Sequence, residues 1–411
     1  MAQTNTDRKL LSVEQAVEKI LAQASPLGTR RVALPEAVGH VLAEPAVADL
    51  DSPPFDKSLV DGYALRFEDV AQGVKRYQVV GRVCAGETYR GQVGTGQAVR
   101  ILTGAPIPPG TDVVVMQEDV EQRGDEIELQ HLPDDRYRFI LRRGATMQAG
   151  TIVLRRGTLL KPAHIAVLAE CGVAEPAVYV KPTVSVVTTG DELVPPTARP
   201  APGAIRNSNG PMLVSAVRTS GFEPVGSWHA RDDETELSRT LQEALAASDV
   251  LLITGGVSVG DRDYVPRVLQ SLGVEPVFHG VHVRPGKPLF FGVRRAEKAS
   301  YVFGLPGNPV SSLVGFLLFV RPLLRALSGL PPGMPAHAPA RLVSGWRNRC
   351  DRPTYWPASI WYEADGLKAR PLAWQGSPDV CCVSQADGFV FFPAGEYQLP
   401  QGASVRVLTL E

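Results

Sequence analysis

From Pro182 to Leu327 short apolar runs alternate with stretches of helical period. No other feature constrains the fold of this chain as tightly. PTVSVVTTGDEL, EPVGSWHA, DVLLITGG, PVFHGVHV and YVFGLPG each read as a strand. GPMLVSAVRTSGF, TELSRTLQEALAAS and DYVPRVLQSLG lie between them with helical spacing, and PVSSLVGFLLFVRPLLRAL closes the series as a helix. Such repetition predicts a parallel α/β sheet covered by helices. Ligands of these sheets bind beyond the C-terminal strand ends. TTGDEL, TGGVSVGDRD and GLPGNP all fall at such ends.

The remainder is organised differently. A chain of 411 residues is too long for one ordinary core, so about two to four domains are expected. SVEQAVEKILAQA has the apolar spacing of a helix with Ser12 as N-cap. Residues 51–144 show short strands, many glycines and no long helical period, the pattern of a β domain. Pro162 suits the first turn of a second helix and Gly172 its C-cap. If that helix packs with the first, residues 1–50 and 145–181 form one domain split by the β insert. Residues 182–328 are then the α/β domain. SGLPPGMPAHAPA reads as a linker, and residues 337–411 as a small C-terminal β domain or barrel.

Composition excludes little beyond the extremes. The chain is 44% apolar and 21% charged with a formal net charge of −1, which gives no reason to expect a nucleic-acid or membrane partner. Cys84, Cys171, Cys350, Cys381 and Cys382 have no zinc-ligand spacing. Cys381 and Cys382 read as two buried thiols in a strand. A reduced, cytoplasmic setting is expected, and the polar N-terminus lacks the apolar core of a signal peptide. The apolar stretch from Val310 to Leu327 is interrupted by Arg321 and Pro322, so it reads as a buried helix.

Three Gly/Pro-rich loops carry the chemistry. In TGGVSVGDRDYV, Gly255, Gly256 and Ser258 suit a backbone cradle for phosphate, and Asp261 and Asp263 suit Mg²⁺ or a helix cap. In VRPGKP, a tight turn aims Arg284 and Lys287 at one anion, as a planar fork and a point charge. In GLPGNPVSS, the start of an apolar helix offers backbone N–H groups and the Ser311 hydroxyl. Asp191–Glu192 and Asp232–Asp233 end neighbouring strands and complete a possible metal edge. His279 and His282 read as structural. In the β insert, Asp56, Ser58 and Asp61, and the loop around Thr103, say little by physics alone.

Taken together, PPFDKSLVDGYA, ILTGAPIPPGTDVVVMQED, VVTTGDEL, IRNSNGPML, GGVSVGDRDY, RPGKP, GLPGNPVSS and ARPLAWQGS run through most of the chain in one order. This set resembles the molybdopterin molybdenumtransferases, the MoeA and gephyrin E-domain family. The resemblance implies an elongated multidomain subunit with a central molybdopterin-binding α/β domain. It implies a homodimer with a shared active-site cleft. The implied reaction is Mg²⁺-dependent insertion of molybdate into adenylylated molybdopterin with release of AMP. Molybdopterin adenylyltransferase and molybdoenzyme apoproteins are the implied partners. By motif, Asp61, Asp263 and Lys287 take catalytic roles, and Asp61 and Thr103 approach the partner subunit's cleft. Glu192, Asp232 and Asp263 sit near Mg²⁺ and the pyrophosphate. Arg284, Lys287, Pro288 and Ser311 frame the molybdate, with Arg352 and Ser377 from the last domain.

Three departures stand out against the family pattern. Arg284 replaces the first Lys of KPGKP. Thr146 in GATMQAG replaces the acid of a GED-like turn. GSPDVCCVSQ replaces GSG-x-L-x-S-L. They motivate an alternative in which the chain is a non-catalytic carrier or scaffold, or a tungstate-inserting paralogue. A pterin adenylyltransferase would carry a GGTG-type loop, whereas this loop reads GGVSVGDRD.

Overall fold

The computed structural model describes residues 10–257, 264–296 and 298–410. The chain forms two compact units: Met1–Arg30 with Gly39–Val41 and Val178–Glu411, and Arg31–Val38 with Leu42–Ala177.

The larger unit begins with helix α1 (Val13–Leu21). The Ser12 hydroxyl accepts from the Gln15 N–H while the Gln15 side chain accepts from the Ser12 N–H, closing a capping box. Its apolar face, Val13, Ala16, Val17 and Ile20, joins the core of this unit. Sequence spacing groups α1 with the second helix of the split domain. That helix, Pro162–Glu170, belongs to the smaller unit.

The sheet of the larger unit contains β1 (Thr183–Thr189), β2 (Glu223–Ala230), β3 (Val250–Thr254), β4 (Val274–His279), β5 (Phe290–Arg294) and β6 (Ser300–Leu305). Their order is β2-β1-β3-β6-β5-β4. The first four are parallel. Every residue of β3 and β6 is buried, as expected of strands covered on both faces. Strand β5 runs antiparallel to both its neighbours, β6 and the edge strand β4, which corrects an all-parallel expectation. The run FFGVR does not stand out from the loop before it. Only residues 295–299 separate β5 from β6, far fewer than the roughly dozen residues a parallel crossover needs.

Helices α2 (Asn209–Thr219), α3 (Glu234–Ala247), α4 (Val265–Ser271) and α5 (Pro309–Leu327) cover the sheet. Helix α5 is long and apolar enough to cross a membrane by composition, yet 83% of its most apolar window is buried inside the protein. It does not break at Arg321 and Pro322. A π-helical turn at Phe316–Val320 re-registers the backbone before the proline, which has no N–H to give.

Ala338–Leu342, Gly366–Pro371, Thr354–Glu363, Gly388–Phe392 and Ser404–Thr409 close a barrel in the same unit. Trp346 stacks on Phe392 with ring centroids 4.4 Å apart. Cys381 and Cys382 lie on the short helix Val380–Ser384, not in a strand; Cys381 is exposed, Cys382 is buried, and both are free thiols. The cause is Asp379, whose side chain caps this helix by accepting from the Cys382 N–H at 3.0 Å.

The smaller unit holds a second six-stranded sheet, ordered Val113–Met116, Gly62–Leu65, Gln97–Ile101, Arg76–Val83, Glu126–Leu129 and Val120–Arg123. Gly62 begins a strand flanked on both sides, and a Cβ there would fall 1.9 Å from the Val115 carbonyl oxygen. Only glycine fits after Asp61.

Candidate active site

Two adjoining basins open at the C-terminal ends of the parallel strands. The first has a volume of about 410 Å³ and is lined by Arg284, Lys287, Pro288, Ser311, Arg352 and Ser377, among others. All six are residues singled out in the sequence. They come from the turn before β5, the first turn of α5, and two loops of the barrel region: Arg352 just before the strand Thr354–Glu363, and Ser377 after the strand Gly366–Pro371.

Backbone pairing holds these pieces together. The Arg284 N–H donates to the Pro353 carbonyl at 2.8 Å, and the Tyr355 N–H donates to the Arg284 carbonyl at 2.8 Å. The VRPGKP turn is thereby fixed to the barrel by a single parallel β-bridge between Arg284 and Thr354. The Arg352 guanidinium donates to the Val283 carbonyl at 3.3 Å and pairs with Asp351 at 3.7 Å.

The helix start contributes less backbone than its sequence offers. Pro309 occupies the first helical position and has no N–H. The Val310 N–H is already donated to the Ser377 carbonyl at 3.1 Å. What this end presents to the basin is chiefly the Ser311 residue itself, which is buried. The altered GSPDVCC loop is well held: Asp379 accepts from the Gln375 N–H at 3.1 Å as well as capping its helix.

The second basin, of about 290 Å³, is lined by Glu192, Arg206, Asn207, Asn209, Thr254 and Gly255, among others. Asn308 and Pro378 line both basins. Gly255 has φ +96°, and a Cβ on it would meet the Thr189 carbonyl oxygen at 2.4 Å. This packing requires glycine there, and Gly256 at φ +60° follows it. Sequence reasoning assigns no role to Asn209. It is buried, with its amide donating to Thr254 Oγ1 at 2.9 Å and to the Gly307 carbonyl at 2.6 Å, while its own carbonyl oxygen has no partner. The run IRNSNGPML, polar just before a helix, is the available signal.

The acidic edge lies beside this basin. Glu192 folds back over Gly190, where a Cβ would come within 2.5 Å of its carboxylate. The Asp232 N–H donates to Asp191 Oδ1 at 3.3 Å, which brings the ends of β1 and β2 together. Asp233 caps α3, accepting from the Glu236 N–H at 2.8 Å. No group of three or more His, Cys, Asp or Glu side chains gathers for a metal among the described residues. Mg²⁺ takes one or two carboxylates and fills its shell with waters or substrate oxygens, so hard oxygen donors at this edge fit it. Ser258, Asp261 and Asp263 lie outside the described residues. His279 Nε2–H donates to the Val257 carbonyl at 2.8 Å, a structural contact.

In the smaller unit, Asp61 and Thr103 meet. Asp61 Oδ1 accepts from both the Thr103 N–H and its hydroxyl, each at 2.7 Å. These bonds, the backbone one foremost, hold the Asp61 carboxyl below its ordinary range. Thr146, at the departure from the acidic turn, ties its own loop by donating its hydroxyl to the Ser52 carbonyl at 2.7 Å.

Residues 11–172 match the model of the MoeA N-terminal region, domains I and II. Residues 185–326 match a probable molybdopterin binding domain, and residues 339–410 match the MoeA C-terminal region, domain IV. A molybdopterin molybdenumtransferase of Nostoc sp. is 37% identical over 389 residues, covering 93% of this chain and 89% of that protein. One from Staphylococcus aureus is 34% identical over 409 residues, covering 98% and 96%. The crystal structure of a molybdopterin biosynthesis MoeA protein from Pyrococcus horikoshii superimposes with a TM-score of 0.81 at 32% identity, covering 98% of this chain and all of that one.

Proposed function

The chain belongs to the MoeA family of molybdopterin molybdenumtransferases, enzymes of molybdenum cofactor biosynthesis, and from that premise we propose that its first basin binds molybdate and its second the adenylylated pterin. The observation that carries this reading is the convergence of two cations, Arg284 and Lys287, with Ser311 and Ser377 in one basin. A tetrahedral dianion needs cations and hydrogen-bond donors at close range, and this basin supplies both.

The chain's own groups then divide the work. Lys287 and the Arg284 fork neutralise the anion and orient it, with Pro288 holding the turn. Ser311 and Ser377 donate to its oxygens from opposite walls, and Arg352 adds charge at the rim. The cradle at Gly255 and Gly256 brings backbone close to the substrate pyrophosphate. Glu192, with Asp232 and Asp263, would hold Mg²⁺, which when bound offsets charge on the pyrophosphate. Cleavage of that pyrophosphate releases AMP. Asp61 with Thr103 serves the same chemistry from a second subunit, in a homodimer whose cleft is shared. The apoproteins of molybdoenzymes and the adenylyltransferase that makes the substrate are the expected partners. Five free cysteines suit a reducing compartment, and the reaction is assigned to the cytoplasm.

Purified protein supplied with adenylylated molybdopterin, Mg²⁺ and molybdate is expected to release AMP in a molybdate-dependent way. Folded protein that releases no AMP under those conditions overturns the reading.

A further inference from the structure

Arg284 stands where the family pattern has lysine, and its side chain is held by Cys350, which no motif marks, and by Trp374 of ARPLAWQGS. Its Nη1 donates to Cys350 Sγ at 3.6 Å. Its Cζ lies 5.7 Å from the centroid of the Trp374 ring. Trp374 itself lines the anion basin. Cys350 ends the strand Trp346–Cys350, which pairs with Gly395–Leu399 beside the barrel, and is only 8% exposed.

We propose that Cys350 and Trp374 clamp the Arg284 guanidinium at the basin, with Cys350 as the positioning residue that sets how tightly molybdate is held. An arginine side chain loses rotamer freedom when it is fixed on an anion. A clamp present before the anion arrives removes that loss from the binding step.

The chemistry of the clamp matters as much as its presence. A carboxylate beside Arg284 would cancel the charge the anion needs. The nearby Asp351 pairs with Arg352 at 3.7 Å and accepts from the Cys350 thiol at 3.8 Å, so the sulfur stands between that carboxylate and Arg284. A thiol and an indole face hold a guanidinium and leave its charge in place. Burial pushes the Cys350 thiol up, but bonds from Thr354, the Arg352 backbone and Arg284 outweigh it and bring it below the ordinary thiol range. The ring does the rest: Trp374 is itself fixed edge-on against Trp356, centroids 5.0 Å apart. Lysine has no planar group to be held in this way.

The inference rests on the reading that Arg284 binds the anion, so the test includes Arg284→Ala. Molybdate-dependent AMP release is followed in the full-length protein, with thermal melting as a control for folding. Cys350→Ala is expected to raise the KM for molybdate about five- to tenfold with kcat within about twofold. Cys350→Ser, which keeps an acceptor, should recover most of that loss. Trp374→Leu should repeat the effect of Cys350→Ala, and Trp374→Phe should soften it. A raised KM in Arg284→Ala with no change in Cys350→Ala or Trp374→Leu overturns the clamp and leaves the basin intact. An unchanged KM in Arg284→Ala overturns the placement of the anion and the clamp with it. Equal losses of kcat in Cys350→Ala and Cys350→Ser also overturn it, because a positioning contact would be rescued by the hydroxyl.

Discussion

The Val310 N–H donates to the Ser377 carbonyl at 3.1 Å, tying the first turn of α5 to the loop that precedes the Val380–Ser384 helix. One backbone bond thus sets the distance between the two walls of the anion basin. It uses the main chain of Ser377 and leaves the hydroxyl for a ligand. Ser377→Ala keeps the tie and removes only the hydroxyl. The expected outcome is a molybdate KM raised about tenfold with an unchanged melting temperature, read from the molybdate dependence of AMP release and from a thermal scan.

Gly255 tests the packing beneath the second basin. At φ +96° a Cβ would press within 2.4 Å of the Thr189 carbonyl. Gly255→Ala should destabilise the protein by about 2–4 kcal/mol in denaturant unfolding. Gly256→Ala meets Val265 Cγ2 at 3.0 Å and side-chain atoms only within that range. It should cost less, because those atoms can move.

Glu192 tests the acidic edge. Glu192→Gln keeps the shape of the side chain folded over Gly190 and removes its charge. The Mg²⁺ concentration for half-maximal AMP release should rise about tenfold. An unchanged Mg²⁺ requirement would remove Glu192 from the site.

Asp61 makes a pH prediction with a definite sign. Thr103 holds its carboxyl below the ordinary 3.8. A group whose pKa is lower in the folded state contributes stability above its unfolded pKa and loses it as pH falls through the folded one. Thr103→Ala removes the hydroxyl bond but keeps the backbone one. Carboxyl titration by NMR should show the Asp61 pKa moving up toward 3.8, and the acid-side loss of stability should shrink in Asp61→Asn.

Much of the site is legible in the sequence. Gly255, Arg284, Lys287 and Ser311 stand out there because glycine and proline punctuate loops locally, and apolar runs mark the strands that carry those loops. The N-cap at Ser12 and the proline at the start of the Pro162–Glu170 helix are legible for the same reason. Strand β5 is not, since its direction depends on how few residues connect it to β6. Asn209 escapes notice because its role as a buried brace depends on Gly307, 98 residues away.

The sequence alone determined most of the element types, the loops at the strand ends and the family, because each of these depends on residues close together in the chain. The tertiary structure decided which loops share a basin, which helix N–H groups are already spent, and what holds Arg284. Cys350 lies 66 residues from Arg284 and carries no motif. Only folding the C-terminal strands against the α/β sheet brings that sulfur to the guanidinium, since local spacing sets a residue's conformation and packing of distant segments sets its neighbours.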